Sequence, residues 1–210
     1  MSNLKYLLKS SLIILIWVST PLLSEAVPGK YPIKNFSPSE YGAGIQNIDF
    51  AQNRDLNLFV ANNLGILSFN GNWWDTYALN TGKKQRSLAF DEKLNRLYIG
   101  SQGEFGYFED TWNYVSLLDK IPPDLLDFDE VWDVYIISSK VYFCTFLGIY
   151  VYDGDAVFVI KRPGGFYRSF SAGNKLITQS PAGELFEIEE QQLIPTHPQG
   201  SYKPGSCRCD

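Results

Sequence analysis

Side chains able to do chemistry are sparse in this chain of 210 residues. Its single histidine, His197, stands beside Pro198 in a polar tail with no serine or cysteine set to exchange a proton with it, so a hydrolytic triad has nothing to build on. It reads as a solvated tail residue. An acidic run, Asp124, Asp127, Asp129, Glu130 and Asp133, offers the carboxylate oxygens that calcium prefers. It lacks the glycine that an EF-hand loop needs for its sharp turn and follows Pro122-Pro123, so a solvated linker is the expectation. The same run holds the paired carboxylates of a glycosidase, but neighbourhood along the chain does not set their separation across a sugar. Gly100, Gly103 and Gly106 match a phosphate-cradling loop by count; strands flank them, and a turn enlarged by two residues accounts for them better. Cys207 and Cys209 are too few and too close for a disulfide framework or a zinc site, and Cys144 lies in a strand run as a small core residue. No catalytic residue, metal site or cofactor is expected.

What must position any functional side chain is a repeat. The stretch from Asp49 to Tyr77 reads as a short apolar strand, a polar turn at Asn53 to Asn57, and a second strand Leu58 to Ala61. A tight turn ending in Gly65, a third strand Ile66 to Phe69, an Asn70-Gly71 hairpin signal and an aromatic fourth strand Trp73 to Tyr77 complete it. Three later stretches repeat this layout. In the second, Leu97 to Gly100 and Gly106-Tyr107-Phe108 recur, with two extra residues expected in the middle turn. In the third, Val141 to Cys144, Gly148-Ile149-Tyr150 and an Asp153-Gly154 hairpin signal recur; the fourth is the loosest, with Leu176-Ile177-Thr178 and Gly183 to Phe186. The second-strand leucine or valine falls at 58, 97, 141 and 176, steps of 39, 44 and 35 residues. Such steps suit an all-β propeller of four-stranded antiparallel blades, with about four blades present. Because a blade has two apolar faces and no core of its own, its strands read as continuous apolar runs such as LFVA, VYFCTF and GIYVY. The competing architecture is a β-sandwich of eight or nine strands.

Met1 to Ala26 reads as a signal peptide: Lys5 and Lys9, an apolar stretch from Ser10 to Leu23 broken by Pro21, and a small-x-small site at Ser24-Glu25-Ala26. Its 14 uncharged residues fall short of the roughly 20 that span a bilayer, so no membrane span is expected after cleavage. The expected organisation is an N-terminal extension over 27–41, blades over 42–79, 83–119, 128–161 and 166–196, and an irregular tail over 197–210. The mature chain of 184 residues carries a net charge of −6 against −5 for the whole, with no lysine or arginine cluster, which argues against nucleic acid or anionic membrane as partners.

Beyond the cleavage site the chain resembles the periplasmic sensor region of two-component-regulator propeller proteins, the class usually followed by a Y_Y_Y immunoglobulin-like domain, a membrane span and an output domain. The residues that carry the resemblance are Asn35-Phe36-Ser37-Pro38, Tyr41 to Gly44, Gln46-Asn47, Ala61-Asn62-Asn63 with Gly65, and the string GSQGEFGYFE from Gly100 to Glu109. It covers about Tyr31 to Pro195. Relatives commonly carry tryptophan where this chain has Ile48, so one core contact is expected to differ. The resemblance implies a non-catalytic periplasmic or secreted ligand-recognition module, often for carbohydrate, whose C-terminal sensor and output domains are missing from this sequence. The alternatives are a secreted four-bladed propeller that binds or acts on polysaccharide, and a protein-binding scaffold. The tail position of the only histidine argues against the enzyme.

A propeller's ligands favour the channel mouth, built from the turns between second and third strands and the connectors into each first strand. Here those positions are Asn62, Asn63, Gln102 and Glu104 in the turns, and Arg86, Trp132, Tyr167 and Arg168 at the connectors. Aromatic faces beside amides and guanidinium groups suit an oligosaccharide or similar small molecule, which offers C–H faces and hydroxyls. The same residues have a structural use: Trp132 and Tyr167 as packing between blades, Arg86 and Arg168 as ties between blade tops.

Overall fold

The computed structural model describes residues 33–79 and 82–196. The expected signal peptide, the tail with His197, Cys207 and Cys209, and the start of the N-terminal extension lie outside the described residues.

The four apolar repeats fold into four separate antiparallel sheets, each a meander of four consecutive strands. The first sheet is β1 (Asn47–Gln52), β2 (Leu58–Asn62), β3 (Gly65–Phe69) and β4 (Trp74–Tyr77). The second is β5 (Gln85–Asp91), β6 (Arg96–Ser101), β7 (Glu104–Phe108) and β8 (Tyr114–Ser116). The third is β9 (Asp133–Ile137), β10 (Lys140–Cys144), β11 (Ile149–Tyr152) and β12 (Val157–Ile160), and the fourth β13 (Arg168–Ala172), β14 (Lys175–Gln179), β15 (Leu185–Glu189) and β16 (Gln192–Pro195). The architecture is an open, partial β-propeller, and the sandwich is excluded because, among the described residues, no strand pairs outside its own repeat.

Turn chemistry sets these meanders. Asn53 Oδ1 accepts the Asn57 amide at 2.9 Å, and Asn70 Oδ1 accepts the amides of Asn72 and Trp73 at 3.0 and 3.2 Å. Asp153 Oδ1 does the same for Asp155 and Ala156 at 3.0 and 2.9 Å. These side chains stand in for backbone turn bonds, which is why Asn and Asp punctuate the repeat.

The middle turn of the second blade differs from expectation. Leu97 pairs with Phe108 and Ser101 with Glu104, the same register as Leu58 with Phe69 and Asn62 with Gly65. The turn is not enlarged, and the residue equivalent to Gly65 is Glu104 rather than Gly106. Gly106 is a glycine for another reason: a Cβ there would stand 2.1 Å from the Val115 carbonyl oxygen of β8. The longer turn belongs to the fourth blade, where Leu176 pairs with Ile188 and Ser180 pairs with Glu184 around Pro181, Ala182 and Gly183.

The core lies between blades. Phe59, Ile66, Leu88, Leu97, Ile99 and Phe108 fill the first junction. Tyr98, Phe105, Phe143 and Tyr150, all fully buried, fill the second, and Tyr142, Cys144, Ile149, Phe166 and Leu176 the third. Each such side chain removed from water contributes about 1.5–3 kcal/mol, so a blade derives its stability from its neighbours. The outer face of the first blade is covered by the short helix α1 (Pro38–Tyr41): Tyr41 and Phe36 lie 5.7 and 5.3 Å from the Trp74 ring. The Ser37 amide and hydroxyl both donate to Glu40 Oε2, at 2.7 and 2.8 Å, and fix the start of α1.

Candidate functional site

One end of the blades gathers all the turns between second and third strands and the starts of all the first strands. The residue at the end of each second strand there, or just past it, recurs as a short polar group: Asn62, Ser101, Thr145 and Ser180, all buried. Thr145 Oγ1 accepts the amides of Leu147 and Gly148 at 3.2 and 3.0 Å, and Ser180 Oγ accepts the Glu184 amide at 3.1 Å. Asn62, 0% exposed, accepts the amides of Gly44 and Leu64, both at 3.0 Å. It donates to Gly44 O and Asn47 Oδ1, both at 2.7 Å. Its polar atoms are all used, so it holds the turn and the N-terminal segment and presents nothing to a ligand.

Glu104 is likewise turned inward. Its Oε1 accepts from the hydroxyls of Ser116 and Tyr114 at 2.8 and 3.1 Å, and Lys83 Nζ stands 3.9 Å from Oε2. Burial and the Glu104 charge push the Tyr114 phenol well above its ordinary range. Asn63 ties to Gln46 through both backbone and side chain, at 3.1 and 3.3 Å. Gln102 is exposed and pairs with Glu130 in an isolated bridge.

The connector residues behave differently. Ile48, Arg86, Trp132 and Tyr167 immediately precede the first-strand residues Asp49, Ser87, Asp133 and Arg168, which pair at one equivalent register position in the four blades. A bulge in β1 and another in β5 displace Ile48 and Arg86 from the ladder. Arg86 Nη2 donates to Glu130 Oε1 at 2.8 Å, and its guanidinium carbon lies 5.1 Å from the Trp132 ring centroid. Trp132 is 39% exposed and sits 5.5 Å from Phe146, itself 46% exposed in the middle turn of the third blade. Tyr167, next in the chain to the Phe166 whose amide bonds to Phe146 O, is 55% exposed, with the Arg168 guanidinium 5.7 Å from its ring.

Backbone ties hold this cluster in place. Val131 N donates to Ser101 O at 3.1 Å and Ser87 Oγ donates to Val131 O at 3.2 Å, laying the connector over the second blade. Phe166 N donates to Phe146 O at 2.8 Å, and Gly165, at φ 68°, passes so close that a Cβ would stand 2.3 Å from that oxygen. Glu130, expected to be solvated with the rest of the acidic run, is buried against Arg86, whereas Asp124, Asp127 and Asp129 are exposed.

Among the described residues of this cluster, no nucleophile stands beside a base. Cys144 is buried, and its thiol is pushed up to about 12 by desolvation, which the Asp133 charge reinforces and a hydrogen bond with Ser169 opposes. Among the described residues, no group of three His, Cys, Asp or Glu side chains is placed to hold a metal ion, and no helix is long and apolar enough to cross a membrane. Phe146 and Glu130 are the site members sequence reasoning missed. An apolar residue inside a turn carries no periodic signal, and one buried carboxylate within an acidic run looks like its solvated neighbours.

No family model and no curated protein matches the chain. Among solved structures it is similar to the extracellular domain of the putative hybrid two-component system BT3049 from B. thetaiotaomicron, at TM-score 0.63 and 14% identity over 79% of this chain and 26% of that one. It is also similar to the WD40 β-propeller domain of Doa1, at TM-score 0.55 and 13% identity over 71% and 54%. A structure of YCF48 bound to D1 peptide matches at TM-score 0.56 and 12% identity over 78% and 59%. The chain thus spans about half of the Doa1 and YCF48 chains and about a quarter of the BT3049 domain. At these identities the likeness is one of fold: a run of propeller blades.

Proposed function

We propose that this chain is the ligand-recognition part of a periplasmic or secreted sensor, non-catalytic, with the blade-top cluster of Arg86, Trp132, Phe146, Tyr167 and Arg168 as its contact surface and a carbohydrate as its ligand. The observation that carries this is the pairing of open aromatic faces with a fixed guanidinium: Trp132 and Phe146 are 39% and 46% exposed while Glu130 pins Arg86 above the indole. Exposed aromatic rings supply stacking area for the C–H face of a sugar, and Arg86 and Arg168 supply donors for its hydroxyl or carboxylate oxygens. Likeness in fold to the BT3049 extracellular domain supports the sensor assignment. In this proposal a membrane span and an output domain outside this chain carry the response onward.

The test is titration of the chain with oligosaccharides of neutral hexose, pentose and uronic acid units. Replacing Trp132 by alanine is expected to weaken binding of the recognised sugar about tenfold or more while the melting temperature stays within a few degrees. Unfolding of that variant would return Trp132 to the packing between blades. Saturable sugar binding undiminished by the substitution would place the site elsewhere.

A further inference from the structure

At the opposite end of the blades a groove of about 350 Å³ lies between the first and second blades. Its existence traces to three register positions. Ser68, Tyr107 and Val151 occupy one equivalent place in successive blades, each facing the next blade. Asp75, Val115 and Phe158 pair across from them, and Asn57, Arg96 and Lys140 precede the second-strand anchor. Between the second and third blades this space is filled: Tyr107 lies 5.4 Å from Tyr98 and 6.3 Å from Tyr152, with the Arg96 guanidinium 4.3 Å over its ring. Between the first and second blades the same places hold Ser68, Asp75 and Asn57, and the space stays open.

What lines the opening is chemically one-sided. Tyr77, Phe90 and Trp112 give it aromatic walls, with Tyr77 and Trp112 stacked at 3.7 Å and 4°. Four carboxylates, Asp55, Asp75, Glu109 and Asp110, stand around those walls, and no lysine or arginine is among the lining residues. Trp112 reaches its place from a left-handed backbone conformation, φ 60°, closed by its amide on Glu109 O at 2.9 Å. A pocket with aromatic walls and several carboxylates repels anions and attracts a cation that also has apolar surface.

We propose that this groove is a second binding site, for a small organic cation bearing an amine or guanidinium group. The volume lies at the small end of ligand pockets and fits one sugar ring or one basic side chain. The shared chemistry has two sources, an amino sugar or the side chain of a basic peptide.

The test uses the whole chain, titrated with glucosamine and with N-acetyl-arginine amide, with glucose as the uncharged control, and read by the Trp112 indole resonance and by calorimetry. A cationic probe is expected to saturate, to bind at least about tenfold more tightly than glucose, and to weaken about tenfold in the double variant Asp75→Asn, Asp110→Asn. Whichever cation saturates identifies the source; saturation by both assigns the site to the charge alone. Ser68→Tyr, which installs the residue of the second blade, is expected to abolish binding, and where it fails to fold the double variant decides. Trp132→Ala leaves this binding unchanged, which separates the groove from the blade-top site. Equal binding of glucose, no saturation by either cation, or full affinity in the double variant would each overturn the proposal.

Discussion

Removal of the Arg86 guanidinium should loosen the junction of the second and third blades by an amount the structure lets one work out. Arg86 Nη2 and Glu130 Oε1 are 2.8 Å apart, and the two side chains are 19% and 9% exposed. At an effective dielectric of about 20, unit charges about 4 Å apart attract by about 4 kcal/mol before desolvation is counted. The net value of the pair is smaller, but its loss is not, because Arg86→Met leaves the Glu130 carboxylate buried without its partner, at a cost of about 3 kcal/mol. Methionine keeps an apolar stem near Trp132 and so isolates the charge. Urea unfolding of Arg86→Met, Glu130→Gln and the double variant closes a cycle, with a coupling of about 2 kcal/mol expected. The double variant should be more stable than Arg86→Met alone. A coupling below about 0.5 kcal/mol would refute the reasoning, since that lies within what a solvent-exposed ion pair contributes.

Two further outcomes test the fold. Gly106→Ala drives a Cβ to within 2.1 Å of the Val115 backbone oxygen. It should separate β7 from β8 and cost more than about 3 kcal/mol, seen as a large fall in the urea midpoint; a loss under about 1 kcal/mol would show that β8 yields freely. Asp133 has its carboxyl pKa raised, first by burial and then by the charge of Asp49. A folded-state pKa above the unfolded value means the native state holds the proton more tightly, so this group's contribution is present below the unfolded pKa and is lost as pH rises through the folded one. Asp133→Asn should therefore be more stable than the parent at pH 7, with the gap narrowing as pH falls through the raised folded-state pKa toward the ordinary carboxylate value and no further change below it; a gap constant with pH would contradict the assignment.

Much of the fold was open to reading because its anchors are local. Leu58, Leu97, Val141 and Leu176 stand at one equivalent position near the start of the second strands, and Asn70-Gly71 and Asp153-Gly154 close hairpins as their chemistry requires. The second blade misled because a glycine was matched to a glycine: Gly106 answers the approach of β8, while the place of Gly65 is taken by Glu104. The residues at the close of the second strands were also hard to see, since Asn62, Ser101, Thr145 and Ser180 share a buried polar place and not an identity. Of the residues expected at the mouth, Arg86, Trp132, Tyr167 and Arg168 gather at the connectors. Asn62 and Glu104 point inward, because a polar side chain at a turn serves backbone amides and neighbouring hydroxyls as readily as a ligand. The groove at the other end was invisible in the sequence: Ser68 and Asp75 mark a gap only once their counterparts Tyr107 and Val115 are known.

Because every sheet is completed by its own four strands, no ladder of backbone hydrogen bonds among the described residues crosses from one blade to the next. Neighbouring blades are joined by side-chain contact and a few point attachments, such as Leu88 N on Asp49 Oδ2 and Tyr135 Oη on Ser169 O. The joint between two blades can therefore pivot without any strand coming apart. Arg86 belongs to the second blade and Trp132 and Phe146 to the third, so a molecule held by all three spans such a joint. Its arrival would act as a wedge or a clasp, changing the tilt between two otherwise intact bodies, and the edge of the blade array far from the ligand would move the most.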